Sequence, residues 1–332
     1  MAKGSGFLNR REFIKKLVIY GGTLGVLGKL LVPAISADSV SVTQEYYRIV
    51  LLGDPHLPVR KHVVLDLHKQ QKILDAKNRV VYDVNSWEDV NQIIVLGDIA
   101  AQFGNVEEYD YARQYFSQCK KTVSFIAGNH DYMYCDDFSP EGKFVLADAI
   151  TREQKLNRFK ETLKQPELFF SQKVGQYLLV FLSPDSLDSR HLTQISNPQI
   201  NWLKNELSRN KTTPTIVFFH APLAGTLYKY NKNVNTPNFI SQPKETIKEI
   251  LDDNLQIIMW VSGHTHTSAK NSSFVSNVNI FGGHITNIHN TDMDRERIWT
   301  NSLYLYPDRV LIKTFNHKDQ TWEENLERTV YL

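Results

Sequence analysis

The sequence has few cysteines, no low-complexity tract and no long apolar run. Two cysteines among 332 residues, Cys119 and Cys135, are too few for a disulfide-stapled scaffold or a cysteine-rich zinc module. Whether they pair with each other stays open at this point. No stretch is apolar over the roughly 20 residues that a membrane-spanning helix needs, and nothing indicates an integral-membrane partner. The composition, with 42% hydrophobic and 22% charged residues, is typical of a globular protein.

A large excess of charge of one sign is also absent, but the net charge of +2 is unevenly distributed. Residues 1–36 carry six basic residues and one acid, a contribution of +5 that leaves −3 for the remainder. A body with a slight acid excess has no general electrostatic attraction for nucleic acid. We therefore expect no nucleic-acid partner.

The N-terminal stretch has the layout of an export signal. A positive segment with the pair Arg10 and Arg11 precedes a moderately apolar segment over residues 17–28, and small residues follow. This layout resembles a twin-arginine signal, with cleavage expected after Ser36 or Ala37. The resemblance implies the twin-arginine export machinery as a partner, and a mature protein in the periplasm, in the cell wall or secreted.

Two other interpretations of this stretch remain. An amphipathic first helix of a cytosolic protein is disfavoured, because four glycines within residues 17–28 weaken a helix in water. An uncleaved membrane anchor is the main competitor, since Lys29 and the cleavage site are both imperfect for a signal. With cleavage, the chain divides into a signal peptide, residues 1–37, and one domain, residues 38–332, in which no linker stands out.

The remainder of the chain alternates strand-like and helix-like segments. The first part predicts the order β-α-β-α-β, which indicates neighbouring parallel strands joined by right-handed crossovers. The segments are strands at 47–52, 91–96 and 121–126 and helices at 63–78 and 106–119. The second part is richer in strands and has one helix. We expect strands at 177–182, 215–219, 257–261, 278–281, 302–306 and 310–314, and a helix at 198–210.

Each of five strong strands is followed at once by side chains that bind metals. These side chains are Asp54 and His56, Asp98, Asn129 with His130 and Asp131, His220, and His264 with His266. In open α/β folds, ligands collect at the carboxyl ends of the strands. Carboxylate, imidazole and amide donors together suit first-row transition metals.

Each member of this set alone has an ordinary explanation. A glycine and an aspartate after a strand usually form a turn, and a single histidine after an apolar strand, such as His220, is usually a core residue. His264 and His266 are more specific, because side chains two apart on an extended segment point the same way. The joint pattern is much stronger than any member, because all five places share one structural context.

The ordered set of motifs resembles the calcineurin-like metallophosphoesterase family. The family pattern is D-x-H, G-D, G-N-H-D/E, a lone histidine and G-H-x-H, and every element occurs in order over residues 53–266. The resemblance implies an α/β fold, a four-layer α/β/β/α sandwich of two mixed sheets flanked by helices. It also implies a centre of two divalent or trivalent transition-metal ions, which we expect to be manganese, iron or zinc.

The same resemblance implies a role for each motif residue. The metal ligands would form two groups that share one carboxylate: Asp54, His56 and His266 for the first ion, Asn129, His220 and His264 for the second, and Asp98 for both. A hydroxide bridging the ions would attack phosphorus without a covalent enzyme intermediate. His130 would give a proton to, or hydrogen-bond, the departing oxygen. Asp131 would orient that imidazole or stabilise its charge; the alternative for Asp131 is a helix N-cap.

One departure from the family limits the substrate. The protein-phosphatase branch reads G-D-x-x-D-R-G at the second motif, and residues 97–103 lack its second acid and its arginine. We therefore expect a phosphomonoesterase or phosphodiesterase that acts on small soluble substrates such as nucleotides, because no membrane-binding stripe is visible. Specificity is expected from residues 131–165 and 223–242; the second segment either caps the pocket or is a solvated loop.

Two rival functions remain. One is a non-catalytic metal-binding protein on the same fold, which loss of a ligand or of His130 would have signalled. The other is a metallohydrolase of a non-phosphate ester or amide, which the order of the motifs disfavours.

Overall fold

The computed structural model describes residues 45–332. The predicted signal peptide, residues 1–37, lies outside the described residues. The described part has fifteen strands and six α-helices. The strands are β1 (Tyr47–Leu52), β2 (Val90–Leu96), β3 (Thr122–Ile126), β4 (Tyr134–Phe138), β5 (Phe144–Leu146), β6 (Phe170–Val174), β7 (Tyr177–Phe181), β8 (Thr215–Phe218), β9 (Ile257–Ser262), β10 (Ile280–Phe281), β11 (Ile285–His289), β12 (Trp299–Leu305), β13 (Arg309–Asn316), β14 (Thr321–Trp322) and β15 (Arg328–Tyr331). The helices are α1 (Leu67–Ser86), α2 (Val106–Phe116), α3 (Asn129–Tyr132), α4 (Ala149–Leu163), α5 (Asn197–Arg209) and α6 (Lys244–Asp252).

The strands form two large mixed sheets and one hairpin. The first sheet has the order β14-β13-β12-β1-β2-β3, and β15 also pairs with β13. Within it β1, β2 and β3 are parallel, as the crossovers predicted, and β12 runs antiparallel to β1. The second sheet has the order β10-β11-β9-β8-β7-β6, with β7, β8, β9 and β11 parallel. Strands β4 and β5 form a separate hairpin.

Three apolar clusters hold four layers together. One lies between the first sheet and helices α1, α2 and α4, and a second lies between the two sheets. A third joins the second sheet to α5 and α6. Helices therefore cover the outer face of each sheet while the inner faces pack against each other. This arrangement confirms the predicted α/β/β/α sandwich.

Strand β1 shows why the central strands are apolar throughout. Ile49 and Leu51 face the second sheet, whereas Val50 and Leu52 pack against the helices. Successive side chains point to opposite faces of a strand, and both faces are covered in this fold. The run of consecutive apolar residues therefore follows from burial on both sides.

The helix predicted over residues 63–78 is displaced along the chain. It begins at Leu67, because the Asp66 side chain caps it by accepting from the Lys69 N–H, and it continues to Ser86. Helix α4, the β4–β5 hairpin and strands β6 and β11 were not predicted, and the second part has a second helix, α6, although only one helix was expected there. Among residues 45–332, no helix is long and apolar enough to cross a membrane.

Candidate metal centre

The carboxyl ends of five parallel strands bring the predicted donors to one place. β1, β2 and β3 of the first sheet and β8 and β9 of the second all end at this edge. The donors that follow them are Asp54 and His56, Asp98, Asn129, His220, and His264 with His266. All of these side chains are buried except His266, which is half-buried. The sequence placed these residues correctly relative to the strands.

The backbone is strained where the donors lie. Five of the eight non-glycine residues with positive φ in residues 45–332 belong to the predicted ligand set. Their φ values are 44° for Asp54, 45° for His56, 50° for Asp98, 63° for His264 and 49° for His266. Such conformations cost on the order of 1–3 kcal/mol each and persist where the surrounding structure enforces them. Their concentration here marks a functional site.

Glycines allow the strand ends to approach each other. A Cβ atom on Gly263 would lie 2.0 Å from Oδ1 of Asp54, and one on Gly128 would lie 2.3 Å from Oδ1 of Asp98. Both contacts are with the carboxylates of the site itself. The glycine that precedes each of these motifs is therefore required by space.

The first group of donors comprises Asp54, His56, His266 and one oxygen of Asp98. The Nε2 atoms of His56 and His266 are 3.1 Å apart. Oδ2 of Asp54 lies 3.0 Å from Nε2 of His266, and Oδ2 of Asp98 lies 3.8 Å from Nε2 of His56. The four ligand atoms lie within 4.8 Å of one another, close enough to share one ion.

The second group is formed around His220. Its Nε2 atom lies 3.2 Å from Oδ1 of Asn129 and 3.1 Å from Nδ1 of His264. Oδ1 of Asp98 is 3.3 Å from the same Nε2 atom. The two oxygens of Asp98 thus face different groups, which is the geometry of a shared, bridging carboxylate.

In His220 and His264, one ring nitrogen donates a hydrogen bond to the backbone, which leaves the nitrogen that faces the other donors as an acceptor. Nδ1 of His220 donates to the Leu96 carbonyl oxygen at 2.7 Å, and Nε2 of His264 donates to that of Asn238 at 2.7 Å. In a neutral imidazole the other nitrogen then carries a lone pair. Nitrogen lone pairs and oxygen atoms, all of them acceptors, therefore face one another. A cation between them would remove the repulsion. The residues fit a metal ion.

The site attracts positive charge. Burial alone would lower the pKa of His220, but the carboxylates of Asp98 and Asp54 outweigh it and raise the pKa to about 9, so a proton and a metal ion compete for Nε2 of this ring. Burial would likewise raise the pKa of the Asp98 carboxyl, but His220 and His130 hold it well below its usual range. The carboxylates of Asp98 and Asp54 therefore concentrate negative charge at the position where a metal ion would bind.

Comparison with known proteins agrees with this geometry. The sequence profile of calcineurin-like phosphoesterases matches residues 47–268. The chain belongs to the calcineurin-like phosphoesterase family. It is therefore a hydrolase of phosphoric ester bonds with a candidate metal centre, as the resemblance implied.

Two solved structures have a similar fold. A dimetal phosphatase from Danio rerio aligns with a TM-score of 0.56 at 14% identity, over 86% of this chain and 98% of that one. A purple acid phosphatase from yellow lupin (Lupinus luteus) seeds aligns with a TM-score of 0.53 at 14% identity, over 86% of this chain and 54% of that one. At these identities the likeness concerns the fold. No curated protein sequence matches the chain.

Asp292 also lies at the site of this phosphoesterase, although it was not among the predicted site residues. Its Oδ2 atom lies 3.5 Å from Nδ1 of His266, and Arg295 forms an ion pair with the same carboxylate. Asp292 follows β11, which is parallel to β9 and ends at the same edge. The rule used for the other strand ends would have found it, but β11 was not predicted: the strand predicted at residues 278–281 corresponds to β10.

A buried ion-pair chain supports the loop after His56. Arg60 pairs with Oδ2 of Asp294 at 2.9 Å, and its Nη1 atom lies 3.4 Å from Nδ1 of His266. Lys77, on α1, pairs with Oδ1 of Asp294 at 2.8 Å and donates to the carbonyl oxygen of His56 at 2.8 Å. These contacts connect helix α1 to the first donor group. Arg60 also places a positive charge beside His266.

His130 lies against both donor groups. Its backbone N–H donates to Oδ1 of Asp98 at 2.8 Å, and its ring centroid is 5.1 Å from that of His56. Nδ1 contacts the Gln102 carbonyl oxygen at 2.9 Å. Burial lowers the pKa of the His130 imidazole, and the charge of Asp98 opposes that shift. With Nδ1 engaged, Nε2 is the ring nitrogen left to exchange a proton with a substrate.

The contacts of Asp131 are structural. Its carboxylate accepts from the N–H groups of Ala100 at 2.9 Å and Gly128 at 2.7 Å, and from the Tyr109 hydroxyl at 3.1 Å. The contact with the Gly128 N–H spans the first turn of α3, as a capping contact does, and so agrees with the helix-cap alternative for Asp131. Asp131 fastens the Asp98 loop to the next motif, while the Gln102 carbonyl oxygen orients the His130 ring.

The segment 223–242 contributes to the site through its backbone. A short 3₁₀ turn, Pro237–Phe239, presents the Asn238 carbonyl oxygen to His264. The Phe239 ring lies 5.1 Å from the ring of His264. The segment was interpreted either as a cap on the pocket or as a solvated loop. The contacts of residues 237–239 with His264 agree with a cap.

Proposed function

We propose that this phosphoesterase hydrolyses a phosphomonoester or phosphodiester at a centre of two transition-metal ions. The observation that carries the proposal is the division of Asp98 between two groups of facing acceptors. Each group offers imidazole nitrogen and carboxylate or amide oxygen, a donor set that suits manganese, iron or zinc. Two ions sharing one carboxylate would occupy these groups.

The metal ions, when bound, would lower the pKa of water and neutralise charge on the phosphoryl oxygens. The chain supplies the remaining functions. Asp54, His56 and His266 on one side, and Asn129, His220 and His264 on the other, would hold the two ions to which the phosphate binds. Water would lose a proton to the solvent and its oxygen would bond to phosphorus as the ester P–O bond breaks. His130, protonated on both ring nitrogens, would give the Nε2 proton to the departing oxygen and would then be reprotonated from the solvent. The products are an alcohol and inorganic phosphate from a monoester, or an alcohol and a phosphomonoester from a diester.

A substrate panel tests this function. The protein, stripped of metal and then loaded separately with manganese, iron or zinc, is given nitrophenyl phosphate, bis-nitrophenyl phosphate and nitrophenyl acetate. We expect about two ions per chain by elemental analysis and turnover of a phosphate ester only with metal. Bound metal without any turnover would support the non-catalytic metal-binding rival. Preferred turnover of the acetate would support a metallohydrolase of another ester.

We further propose that the protein is exported with the twin-arginine machinery as its partner. The support is Arg10 and Arg11 followed by the glycine-rich segment over residues 17–28. Changing both arginines to lysine should retain the protein in the cytoplasm while lysates keep full activity. Unchanged export would contradict the proposal, and an exported protein that keeps residues 1–37 would be membrane-anchored. We propose a phosphate ester, and no nucleic acid, as its substrate partner.

A further inference from the structure

One arginine at the open side of the metal centre has donors that the protein itself does not use. Arg60 lies four residues after His56, and its Nη1 atom is 3.4 Å from Nδ1 of His266. The first donor group is open at this point, since the side chain of His266 is 22% exposed and that of Arg60 is 16% exposed. The guanidinium therefore lies beside the donors and within reach of the solvent.

The ion pair of Arg60 uses one side of its guanidinium. Its Nε atom donates to Oδ2 of Asp294 at 2.9 Å, and the side chain of Asp294 is fully buried. Nη2 makes no hydrogen bond within residues 45–332. Arg295 is different, because its Nε and Nη2 atoms donate to the two oxygens of Asp292. Arg295 is thus held at two points, whereas Arg60 is anchored through Nε.

Metal binding would free the other terminal nitrogen of Arg60 as well. When Nε2 of His266 gives its lone pair to a metal, the neutral imidazole carries its proton on Nδ1. That N–H faces Oδ2 of Asp292, 3.5 Å away. It cannot accept from Nη1 of Arg60, because both groups are then donors. Nη1 and Nη2 would both lack an acceptor, and two such donors on one planar guanidinium match the oxygens of a phosphate.

The charge of Arg60 is only partly balanced by the protein. The Asp294 carboxylate pairs with Arg60 through Oδ2 and with Lys77 through Oδ1, so one acid serves two cations. Burial lowers the pKa of His56 and of His130, and the charge of Arg60 lowers both further. Metal ions at the donors would repel the guanidinium, and an anion in contact with both would offset that repulsion. The arrangement therefore favours an anionic ligand.

We propose that Arg60 binds a terminal oxygen of the substrate phosphate, and that the substrate is a phosphomonoester. The inference rests on the proposed function and chooses between its two ester classes. With one phosphoryl oxygen for each of two ions, a monoester has a third terminal oxygen for Arg60, whereas a diester has none. Arg60 would thereby take the place of the arginine that the second motif, residues 97–103, lacks.

A monoester and a diester with the same leaving group test this role. The metal-loaded full chain is assayed with nitrophenyl phosphate and with ethyl nitrophenyl phosphate. Arg60→Met removes the donors and the charge, while Lys77 still pairs with Asp294. kcat/KM for the monoester should fall roughly 10²–10³-fold, the loss for one positioned donor to a charged oxygen, and that for the diester less than about fivefold. Equal losses on both esters would overturn the proposal.

Metal content and two further variants separate substrate binding from support of the loop. Arg60→Met should retain about two ions per chain, and loss of metal would overturn the proposal by making Arg60 a support of the donors. Arg60→Lys keeps a charge that can pair with Asp294 but lacks the planar fork. It should show the same selective loss on the monoester even if Arg60→Met does not fold. Arg209→Met, at a 71% exposed arginine on α5, is the control and should keep both rates.

Binding without turnover separates this inference from the phosphoesterase function. Methylphosphonate has three terminal oxygens and dimethylphosphinate has two, and neither is an ester. In calorimetry with metal-loaded protein, Arg60→Met should weaken methylphosphonate binding roughly tenfold or more and dimethylphosphinate binding less than about threefold. Turnover of phosphate esters with unchanged methylphosphonate binding in the variant would overturn the role of Arg60 alone. Absence of turnover on every ester would refute the function, and the two ligands would still decide whether Arg60 binds the third oxygen.

Discussion

The two donor groups of the metal centre differ in what the second ring nitrogen of each histidine contacts. In the first group, Nδ1 of His266 lies 3.5 Å from Oδ2 of Asp292 and 3.4 Å from Nη1 of Arg60, and Nδ1 of His56 has no hydrogen-bond partner among the described residues. In the second, His220 and His264 donate to backbone carbonyl oxygens. The first group is also more open, since the side chain of His266 is 22% exposed whereas that of His220 is fully buried.

This difference decides which group can be altered by substitution. A side-chain partner such as Asp292 can be exchanged singly, but the carbonyl oxygens of Leu96 and Asn238 remain whatever side chain is present. Outer partners of ligating histidines fix the tautomer and tune the ligand. The first group should therefore respond to point changes around it, and the second chiefly to changes of loop packing. Four predictions test this contrast.

The largest effect is expected where the two groups meet. Asp98→Ala removes the carboxylate whose two oxygens face both groups, so both ions should be lost together. Changes of outer partners already cost 10- to 100-fold in affinity, and loss of a shared ligand should cost more than about a hundredfold for each ion. Elemental analysis after dialysis should give less than one ion per chain, with turnover near background. Asp110→Ala, an exposed aspartate on α2, is the control.

Retention of one ion in Asp98→Ala would show that one group holds its metal without the bridge. Retention of two ions with full activity would defeat the dinuclear arrangement altogether.

The next effect concerns chemistry shared by both groups. His130→Ala should leave metal content near wild type in both, because its side chain is not among the donors. Turnover of alkyl phosphates should fall roughly 10²–10⁴-fold, the range for one positioned general acid. The loss on nitrophenyl phosphate should be clearly smaller, because that acidic leaving group needs the proton less. Both rates are measured at matched metal occupancy.

Two other results for His130→Ala would change its role. Equal losses on both substrates would indicate stabilisation of transition-state charge by the imidazole. Loss of metal would make His130 a structural support of the site.

The donors could be predicted because metal chemistry restricts both residue type and position. Asp98 and His220 each follow an apolar strand directly, so the strand prediction also gave their place in the fold. The strands were recognisable because burial on both faces demands apolar residues such as Val50 and Ile94. Spacing of two residues, as between His264 and His266, gave a local geometry without knowledge of distant contacts.

The outer partners could not be predicted in this way. Asp292 depends on the pairing of β11 with β9, which is a long-range contact. The contribution of Asn238 is a carbonyl oxygen, which every residue has, so no side-chain signal exists. Val63 and Leu65 fell within the helix predicted over residues 63–78, but the Asp66 side chain caps the helix and places its start beyond them.

An intermediate effect is expected from the outer partner of the first group. Asp292→Asn keeps an oxygen near Nδ1 of His266 but removes the negative charge. The first ion should bind roughly 10- to 100-fold more weakly, as expected for an outer carboxylate, while the second should change less than about threefold. A calorimetric titration of the metal-free protein with metal resolves the two affinities. Equal weakening of both ions would contradict the contrast between the groups.

The smallest effect is expected in the second group, from packing alone. Phe239→Ala removes the ring that lies 5.1 Å from His264 and loosens the turn that holds the Asn238 carbonyl oxygen. An aromatic pair contributes about 0.5–1.5 kcal/mol, so the second ion should bind roughly 2- to 12-fold more weakly and the first should be unaffected. Phe239→Tyr keeps the ring and should bind both ions as the wild type does. If Phe239→Ala weakened the first ion more than the second, the backbone of this turn would not be the support of His264.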